Sequence, residues 1–370
     1  MAFRQSPLEG LAVNLEFWKN KRVFLTGHTG FKGSWLSLWL QKLGAKVTGF
    51  ALNPPTEPNL FDLANVASGM NSFLGDIRDT NALRDALNKA SPEIIIHMAA
   101  QSLVRESYAN PTDTYSVNVM GTVNLLEEMR SVKGIKALIV VTSDKCYENH
   151  EWLWSYRENE PMGGYDPYSS SKGCAELITA AYRSSFFNVN NYSHHGVAIS
   201  SARAGNVIGG GDWAKDRLVP DLIKAFEQDH EMQIRNPSAV RPWQHVLEPL
   251  SGYLTLAEAL CNFGPDFAEA WNFGPNENDS KTVSWVIETI AKYWGQEVKW
   301  KNYLETNFHE ANYLKLDISK AKNRLGWNPR LDLEQSLAMV VDWSKKRLTG
   351  GNMYDFTLQQ ISNYQDLIKK

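Results

Sequence analysis

A tyrosine and a lysine four residues apart, in the stretch D-P-Y-S-S-S-K-G, have types and a spacing that indicate chemistry. In a helix, Tyr168 and Lys172 lie on one face about one turn apart. A lysine ammonium at that distance stabilises phenolate and so lowers the pKa of the tyrosine. The pair predicts a base for a hydroxyl proton, and an exposed helical pair without function is the alternative.

A second group, Ser143-Asp144-Lys145, follows the apolar run K-A-L-I-V-V-T. Ser143 can hold a reacting hydroxyl, while Asp144 and Lys145 are candidates for an acid and a base. A solvated turn is the alternative. Because both groups are predicted to lie near strand ends and to follow a cofactor-type turn, we favour one joint active site.

The elements that would position these groups begin with a glycine-rich stretch, R-V-F-L-T-G-H-T-G-F-K-G. An apolar strand pattern precedes it, and apolar residues at helical spacing follow from Phe31. Gly27 would permit a tight turn, Gly30 a close approach to phosphates, and Gly33 close packing of helix on strand. With the free N–H groups of the helix start, this order suits a dinucleotide pyrophosphate, although an ordinary glycine-rich turn is the alternative.

Strand and helix patterns then alternate through the first two-thirds of the chain. Further strands are predicted at 46–52, 71–75, 93–100, 136–143 and 196–204, with helices at 79–90, 113–132 and 168–187. Continuous apolar strands that alternate with helices indicate an α/β fold with a doubly wound parallel sheet of Rossmann type. Ligands of such sheets lie at the carboxyl ends of the strands.

After Gly205, loops rich in glycine, proline and tryptophan predict a smaller, mostly C-terminal substrate-binding lobe. We assign 20–205 and about 240–275 to the dinucleotide-binding domain, and about 206–239 and 276–370 to the lobe. A helix at 245–261, a strand at 270–274 and a helix at 333–347 are also predicted. Residues 1–14 are expected to form a loose arm.

Composition predicts a cytoplasmic enzyme and excludes several other classes. The 370 residues are 43% hydrophobic with a net charge of −3, so there is no basic excess for nucleic acid. No apolar run approaches the roughly 20 residues of a membrane span, and the start lacks a secretory pattern. Three widely spaced cysteines suit a reducing compartment. The histidines and cysteines lack metal-ligand spacing, so no metal is expected.

Together the motifs resemble those of the extended short-chain dehydrogenase/reductase superfamily over about residues 20 to 330. The resemblance is carried by Thr26-Gly27-x-x-Gly30-Phe31-x-Gly33, Asp76-Ile77, His97-x-Ala99-Ala100-Gln101, Asn118, Ser143 and Tyr168-x-x-x-Lys172. Within it, G-H-T-G-F-K-G-S-W-L, T-S-D-K-C-Y and R-P-W-Q-H-V-L-E-P-L are similar to the 4,6-dehydratase branch that acts on CDP-linked glucose.

The resemblance implies NAD as the cofactor. The implied contacts are Thr26, Gly27, Thr29, Gly30, Phe31, Lys32, Gly33, Asp76, Ile77, Ala99, Ala100, Gln101, Asn118, Tyr168 and Lys172. After the second strand, NAD enzymes usually carry an acidic residue for the ribose, whereas Asn53 is nearest here. No arginine stands there for a 2′-phosphate, which favours NAD with a weaker hold on its ribose.

For catalysis the resemblance implies oxidation at sugar C4, loss of water across C5 and C6, and return of the hydride to C6. Tyr168 would deprotonate the C4 hydroxyl, and Asp144 would protonate the departing C6 hydroxyl. Most dehydratases with this fold carry a glutamate next as the base for C5, whereas this sequence has Lys145, as the CDP-glucose branch does. Lys145 as that base and Lys145 as a charged stabiliser of the enolate both remain open.

The implied substrate is CDP-glucose, and the implied product is a 4-keto-6-deoxy sugar for the dideoxy sugars of bacterial surface polysaccharide. Its implied contacts are Gln101, Ser102, Val104, Asn206, Arg217, Arg241 and Tyr313. A guanidinium matches phosphate geometry, although a structural arginine is the alternative. Trp213 and Trp243 could stack on the base or pack within the lobe.

Other functions on the same scaffold are a sugar-nucleotide epimerase, a dehydratase for another nucleotide-linked glucose and a cofactor sensor without activity. The pair Asp144-Lys145 argues against an epimerase, and the complete set of Ser143, Tyr168 and Lys172 argues against a sensor. Helices 113–132 and 168–187 carry apolar residues on more than one face. Related folds pair these helices across a two-fold axis, so a homodimer or a dimer of dimers is predicted.

Overall fold

The computed structural model of the protein describes residues 13–297, 299–303 and 313–369. Seven strands form a central sheet in which each neighbouring pair is parallel. In chain order they are β1 (Arg22–Thr26), β2 (Lys46–Ala51), β3 (Asn71–Leu74), β4 (Ile94–His97), β5 (Ala137–Val141), β6 (Ala198–Arg203) and β7 (Ala270–Asn272). Their spatial order is β7–β6–β5–β4–β1–β2–β3.

The strand order reverses between β1 and β4, which creates a crevice at the carboxyl ends of these two strands. Thr26 is in register with Phe50 of β2 and with His97 of β4. These three strands therefore end within one residue of each other along one edge, and the loops that follow them meet above it.

The described residues also form nine longer helices and several short ones. The longer ones are α1 (Phe31–Lys42), α2 (Thr80–Ala90), α3 (Gly121–Met129), α4 (Pro167–Ser185), α5 (Leu218–Gln228), α6 (Leu247–Phe263), α7 (Val283–Trp294), α8 (Leu333–Leu348) and α9 (Met353–Ile368). The short helices are Leu15–Trp18, Leu60–Leu63, Val104–Ala109, Pro111–Tyr115 and Tyr192–His195, with π-helical turns at Ser116–Met120 and Ala321–Leu325. Single 3₁₀ turns occur at Val66–Gly69, Asp144–Cys146, Val189–Asn191, Gly264–Phe267 and Glu277–Asp279.

Both faces of the sheet are buried, because alternate residues of each strand point to opposite sides. Val23 and Leu25 of β1 pack in a core with α1 and α6, whereas Phe24 packs in a second core with α2 and α3. This explains why the strands read as continuous apolar runs in the sequence.

The lobe has its own core and three short strand pairs. The pairs are Val207–Ile208 with Gln244–His245, Val240–Pro242 with Ser280–Thr282, and Met232–Ile234 with Trp300–Asn302. Apolar residues of α5, α7 and α8, such as Leu222, Ile287 and Leu337, form its buried core.

The predicted doubly wound parallel sheet is confirmed, and each predicted strand ends within three residues of the observed one. The predicted helix at 113–132 is interrupted by the π-helical turn Ser116–Met120. Asn118 lies in this turn and points its amide towards the loop after β4. A π-helical turn adds one residue per turn and often occurs at functional sites.

The last helix differs from the predicted division of the chain, which placed 276–370 in the lobe. Ile361 of α9 is buried in the core beside α1 and α6, and Tyr364 packs on Trp39 with ring centroids 5.7 Å apart. The Tyr364 hydroxyl donates to Glu248 of α6 at 2.7 Å. Hydrophobic burial and this hydrogen bond therefore attach α9 to the sheet domain.

Most of the predicted N-terminal arm, residues 1–12, lies outside the described residues. Asn14 starts the first short helix, and its side chain accepts from the N–H groups of Glu16 and Phe17. Its own N–H donates to the carboxylate of Glu258 at 3.0 Å. The end of the predicted arm is thus held against α6.

Candidate active site

A cavity of about 930 Å³ lies at the carboxyl edge of the sheet, between the loops that follow the strands and the lobe above them. Most of the predicted site residues line it: Gly27, Thr29, Gly30, Phe31, Lys32, Gly33, Asp76, Ile77, Ala99, Ala100, Gln101, Ser102, Val104, Ser143, Asp144, Lys145, Tyr168, Lys172, Asn206, Arg217 and Arg241. Thr26, Asn118 and Tyr313 are predicted site residues that do not line the cavity.

The turn between β1 and α1 allows a close approach to backbone atoms. Gly27 has a φ of +76°, and a Cβ there would lie 2.8 Å from the Ala99 nitrogen. A Cβ on Gly33 would lie 2.0 Å from the carbonyl oxygen of Gly27. The first N–H groups of α1, at Phe31 and Lys32, lack acceptors within the helix and form an anion-binding terminus. The turn fits the pyrophosphate of a dinucleotide.

Thr26 supports this turn from behind the cavity wall. Its Oγ1 accepts from the Ala99 N–H at 3.1 Å and lies 2.7 Å from His97 Nδ1. Burial lowers the pKa of His97 to about 3, so the ring is neutral. Thr122 Oγ1 donates to the Asn118 carbonyl at 2.7 Å and therefore accepts from His97 Nε2 at 3.2 Å. His97 Nδ1 is then the acceptor for the Thr26 hydroxyl.

Asn118 also acts behind the wall. Its Oδ1 accepts from the Gln101 N–H at 2.8 Å, and its Nδ2 donates to the Gln101 carbonyl at 2.9 Å and to Ser171 Oγ at 2.8 Å. Asn118 thus fixes the loop after β4 against α4. Tyr313 accepts through its carbonyl from Asn149 Nδ2 at 3.1 Å. Asn149 and Leu314 line the cavity, although Tyr313 itself does not.

The turn after β5 carries the acid and base candidates. The Ser143 hydroxyl donates to Asp144 Oδ1 at 3.0 Å and accepts from the Lys145 N–H at 3.2 Å. Asp144 is buried, whereas Lys145 is half-buried. A Cβ on Gly205, which follows β6, would lie only 1.8 Å from Asp144 Oδ2. Glycine at this position therefore makes room for the carboxylate.

Tyr168 and Lys172 lie on one face of α4, as predicted from their spacing. Asp166 caps the helix by accepting from the Ser169 N–H at 2.9 Å, and Pro167 occupies its first position. Burial raises the pKa of Tyr168 to about 12, and a side-chain hydrogen bond with Ser143 opposes this shift. The prediction that Lys172 lowers this pKa is not met here, because the Lys172 ammonium instead faces the carbonyl of Val141 at 3.4 Å.

Two lysines, the buried Lys172 and the half-buried Lys32, line the same cavity. Burial lowers the pKa of Lys172 to about 8. Burial, with repulsion from Lys172 and Arg217, lowers the pKa of Lys32 to about 7. Lys32 Nζ donates to the Tyr253 hydroxyl at 2.9 Å. Both amines carry pKa values low enough to exchange protons near neutral pH.

Arg217 connects the lobe with the sheet domain across the cavity. Its Nη1 donates to Asp212 Oδ2 at 2.9 Å, and its Nη2 donates to Ser102 Oγ at 3.2 Å. A second pair, Arg105 and Asp216, lies nearby at 3.4 Å. The guanidinium of Arg217 thus lies between the two sides of the cleft, where one ligand could contact the lobe and the sheet domain together.

The end of the cavity beside β2 and β3 contains an arginine that the motifs did not reveal. Arg78 lies 2.6 Å from carboxylate oxygens of both Asp76 and Asp113. The hydrogen bond from Arg78 is the main cause of a lowered pKa of Asp76. Asn53 also lines this end. Arg78 was identifiable only as a neighbour of Asp76, since its second partner is distant in sequence.

A buried ion pair behind the site was also missed. Glu176 and Arg203 approach to 2.8 Å, and each side chain is only 4% exposed. Glu176 accepts from Thr142 Oγ1 at 2.5 Å and from Ser201 Oγ at 2.6 Å. A signal was present, because Glu176 stands four residues after Lys172 and so shares its helical face.

The described residues form neither a cluster of metal-ligating side chains nor a membrane-spanning helix. In residues 13–297, 299–303 and 313–369, no group of three or more His, Cys, Asp or Glu side chains is arranged to hold a metal ion. Within the same ranges, no helix is both long and apolar enough to cross a membrane.

Comparison of the sequence with known families gives a match over residues 24–340 to the model of the GDP-mannose 4,6 dehydratase family. A CDP-glucose 4,6-dehydratase of Salmonella typhimurium is 55% identical over 95% of this chain and 98% of its own length. A UDP-glucuronate 4-epimerase of Thermodesulfobacterium geofontis is 28% identical over 88% of this chain and 96% of its own length.

Among solved structures, a UDP-glucose 4-epimerase of Thermus thermophilus in complex with NAD superposes with a TM-score of 0.75 at 23% identity. It is matched over 88% of this chain and 99% of its own. This similarity confirms the fold. With a family model that matches most of the chain and a relative at 55% identity, the chain belongs to the nucleotide-sugar 4,6-dehydratase family of the extended short-chain dehydrogenase/reductase superfamily.

Proposed function

We propose that this protein converts CDP-glucose into CDP-4-keto-6-deoxyglucose and one water, with NAD as its resident cofactor. The reaction takes place at carbons C4 to C6 of the sugar. The main support is that the five candidate catalytic residues line one cavity at the carboxyl edge of the sheet. They are Ser143, Asp144, Lys145, Tyr168 and Lys172. The 55% identity to a relative named CDP-glucose 4,6-dehydratase supports CDP-glucose as the substrate.

The glycine turn and the charge pattern support NAD. The turn of Gly27 to Gly33 leaves no space for a side chain between α1 and the backbone of Gly27, which suits a pyrophosphate at the start of α1. At the adenosine end, Arg78 is occupied by Asp76 and Asp113, so it is paired and not available for a 2′-phosphate. Bound there, the nicotinamide would accept a hydride from sugar C4 and return it at C6.

Tyr168 and Ser143 would act on the C4 hydroxyl. Ser143 would orient the hydroxyl, and Tyr168 would take its proton as the C4–H bond breaks. Burial raises the pKa of Tyr168 to about 12, so the phenol needs additional positive charge to act as a base near neutral pH. Lys172 lies one helical turn away to supply that charge.

Asp144 and Lys145 would carry out the elimination. A ketone at C4 acidifies the proton on C5, which Lys145 would remove. Asp144 would give a proton to the C6 hydroxyl as it leaves as water. Lys145 lines the cavity and is half-buried, which puts its amine within reach of a ligand there.

The lobe would hold the nucleotide. Arg217 and Arg241 line the lobe side of the cavity together with Asn206. Their guanidinium groups suit the diphosphate of the substrate. Trp213 and Trp243 both line the cavity. Trp243 also belongs to the buried core of the lobe, and Trp213 packs on Trp343 with ring centroids 5.8 Å apart.

We further propose a cytoplasmic location and a role in supplying dideoxy sugars for bacterial surface polysaccharide, the lipopolysaccharide O-antigen. The three cysteines are free thiols, as expected in a reducing compartment. A dehydratase for another nucleotide-linked glucose is the alternative, because the base contacts of the lobe do not by themselves select cytidine.

Incubation of the purified protein with CDP-glucose, and in parallel with dTDP-, UDP- and GDP-linked sugars, tests the proposal. The 4-keto-6-deoxy product is measured by its absorbance in alkali. We expect kcat/KM for CDP-glucose to exceed the other values by at least about 10-fold, equivalent to about 1.4 kcal/mol. A higher value for another nucleotide would reassign the substrate, and a C4-epimer as product would overturn the dehydratase.

A further inference from the structure

The turn that bears Ser143, Asp144 and Lys145 is anchored at both of its ends. On its N-terminal side, Thr142 Oγ1 donates to Glu176 Oε1 at 2.5 Å. On its C-terminal side, the Tyr147 hydroxyl accepts from Arg203 Nη1 at 2.7 Å. Glu176 and Arg203 are themselves joined at 2.8 Å. One buried ion pair thus connects both flanks of the turn.

The same ion pair connects this turn with the helix that carries the other candidate residues. Tyr168, Lys172 and Glu176 follow one another at intervals of four residues along α4, so they lie on one face. Lys172 and Glu176 are both buried against the end of β5. The distance from Ser143 to Tyr168 therefore depends on the contact between Glu176 and Thr142.

The partners of the pair restrict its movement. Ser201 Oγ holds the second oxygen of Glu176 at 2.6 Å, and Arg203 Nη1 also donates to the Glu158 carbonyl at 3.0 Å. The Tyr147 hydroxyl donates onward to Asn272 Oδ1 at 2.8 Å. Burial acts to raise the pKa of Glu176, but Arg203 and the hydrogen bonds outweigh it and keep the pKa below its ordinary value. The carboxylate is therefore charged and fully bonded.

We propose that the Glu176–Arg203 pair positions the reacting groups by holding the two flanks of the Ser143–Cys146 turn against α4. Neither residue lines the cavity, so both are positioning residues and not catalytic ones. The proposal rests on the proposed dehydratase for its kinetic consequence only. Misplacement of a reacting group by about 1 Å can lower a rate by about 100-fold.

A purely structural role is the competing explanation, because loss of one partner of a buried ion pair destabilises a fold strongly. Variants of Glu176 or Arg203 could therefore fail to fold. Thr142→Val is a milder test, since it removes only the hydroxyl that joins the strand end to Glu176, while Ser201 and Arg203 still hold the carboxylate. Thr142→Ser restores the hydroxyl and serves as the rescue.

Ser200→Ala is the matched control. Ser200 is equally buried in the neighbouring strand, and its hydroxyl donates at 2.8 Å to the carbonyl of Phe267, away from the turn. All three variants would be compared with the natural protein for thermal unfolding, for kcat and KM with CDP-glucose, and for hydrogen exchange of the backbone amides of residues 143–147.

For Thr142→Val we expect kcat to fall about 10-fold or more, with KM within about 2-fold, because binding groups elsewhere are unchanged. Amide exchange should accelerate in residues 143–147 and not in β1 or β2. Thr142→Ser should restore both quantities, and Ser200→Ala should change neither.

Two results would contradict the positioning role of the ion pair. One is an unchanged kcat and an unchanged exchange pattern in Thr142→Val. The other is a loss of kcat that follows the loss of thermal stability equally in Thr142→Val and Ser200→Ala. Failure of the proposed function has a different signature. If the natural protein leaves CDP-glucose unchanged, the dehydratase assignment falls, while the exchange data, which need no substrate, still decide whether Glu176 fixes the turn.

Discussion

Lys145 stands where the proposed elimination needs a group that can take a proton from C5. It follows Asp144 in the 3₁₀ turn Asp144–Cys146, lines the cavity and is half-buried. In the proposed mechanism, oxidation at C4 depends on Tyr168 and Lys172, which belong to a different element, α4. Chemistry at C4 and chemistry at C5 and C6 should therefore respond separately to substitution.

Lys145→Met removes the amine and keeps most of the stem. Because a general base contributes about 100- to 10,000-fold, turnover should fall within that range. Reduced cofactor, followed by its absorbance, should still form on addition of substrate, whereas exchange of the C5 proton with solvent should fall with turnover. Lys46→Met, at the exposed start of β2, is the control. Near-normal turnover in Lys145→Met would assign the base to another residue.

At the scale of residues, the sequence predicted well which side chains line the cavity. It predicted less well their pKa values and their partners. Tyr168 and Lys172 were identified by their spacing, but the raised pKa of Tyr168 follows from burial in the folded protein, which no local pattern contains. Glu176 and Arg203 were missed for a similar reason, since they are 27 residues apart and meet only where α4 packs on β6.

The strands bring the candidate residues together because their carboxyl ends lie along one edge of the sheet. Their continuous apolar runs made this architecture predictable, as did the order of strand, glycine turn and helix at β1 and α1. The short strand pairs of the lobe were not predictable in the same way, because strands of two or three residues carry no periodic pattern. The attachment of α9 to α6 depends on Tyr364 and Glu248, which are distant in sequence.

Gly205 shows how one element makes room for another. A Cβ at this position would lie 1.8 Å from Asp144 Oδ2, so Gly205→Ala should displace the carboxylate. We expect turnover to fall about 10- to 100-fold through the misplaced acid, while reduced cofactor still forms. The matched variant is Gly134→Ala, where no heavy atom lies within 4 Å of the added Cβ, although its φ of +90° makes a small loss of stability expected. Turnover in Gly205→Ala equal to that of the natural protein would exclude close packing at Asp144.

The stability of the whole molecule should depend on pH through acids buried far from the cavity. Burial raises the pKa of Glu258 to about 7, although it accepts from Asn14 and from Trp18 Nε1 at 2.6 Å. A raised pKa in the folded state means that stability is greatest below the ordinary pKa of 4.5 and is lost as pH rises through about 7.

Glu258→Gln removes this titration and keeps an oxygen acceptor. Relative to the natural protein, the free energy of unfolding of the variant should therefore rise between pH 5 and pH 8, by up to about 3 kcal/mol. Urea unfolding at both pH values measures the difference, and other ionisable groups cancel in the comparison. A difference that is the same at both pH values would contradict this account of Glu258.

We predict that the molecule is at least a dimer. Met120, Leu177 and Phe186 are each about half exposed or more, on the π-helical turn before α3, on α4 and at the end of α4. Two copies that pair these helices across a two-fold axis would bury this surface in a four-helix bundle. Sedimentation at micromolar concentration should give a dimer or tetramer, and Leu177→Glu should shift it towards monomer. Detection of monomer alone for the natural protein would contradict the prediction.

In the proposed reaction, a hydride removed from C4 is stored in the site and returned to C6 of the same sugar. The direct measurement uses CDP-glucose labelled with deuterium at C4 and locates the label in the product by nuclear magnetic resonance or mass spectrometry. We expect deuterium at C6, with no net consumption of cofactor. Loss of the label to solvent, or its transfer to an added external acceptor, would contradict a closed cycle within this cavity.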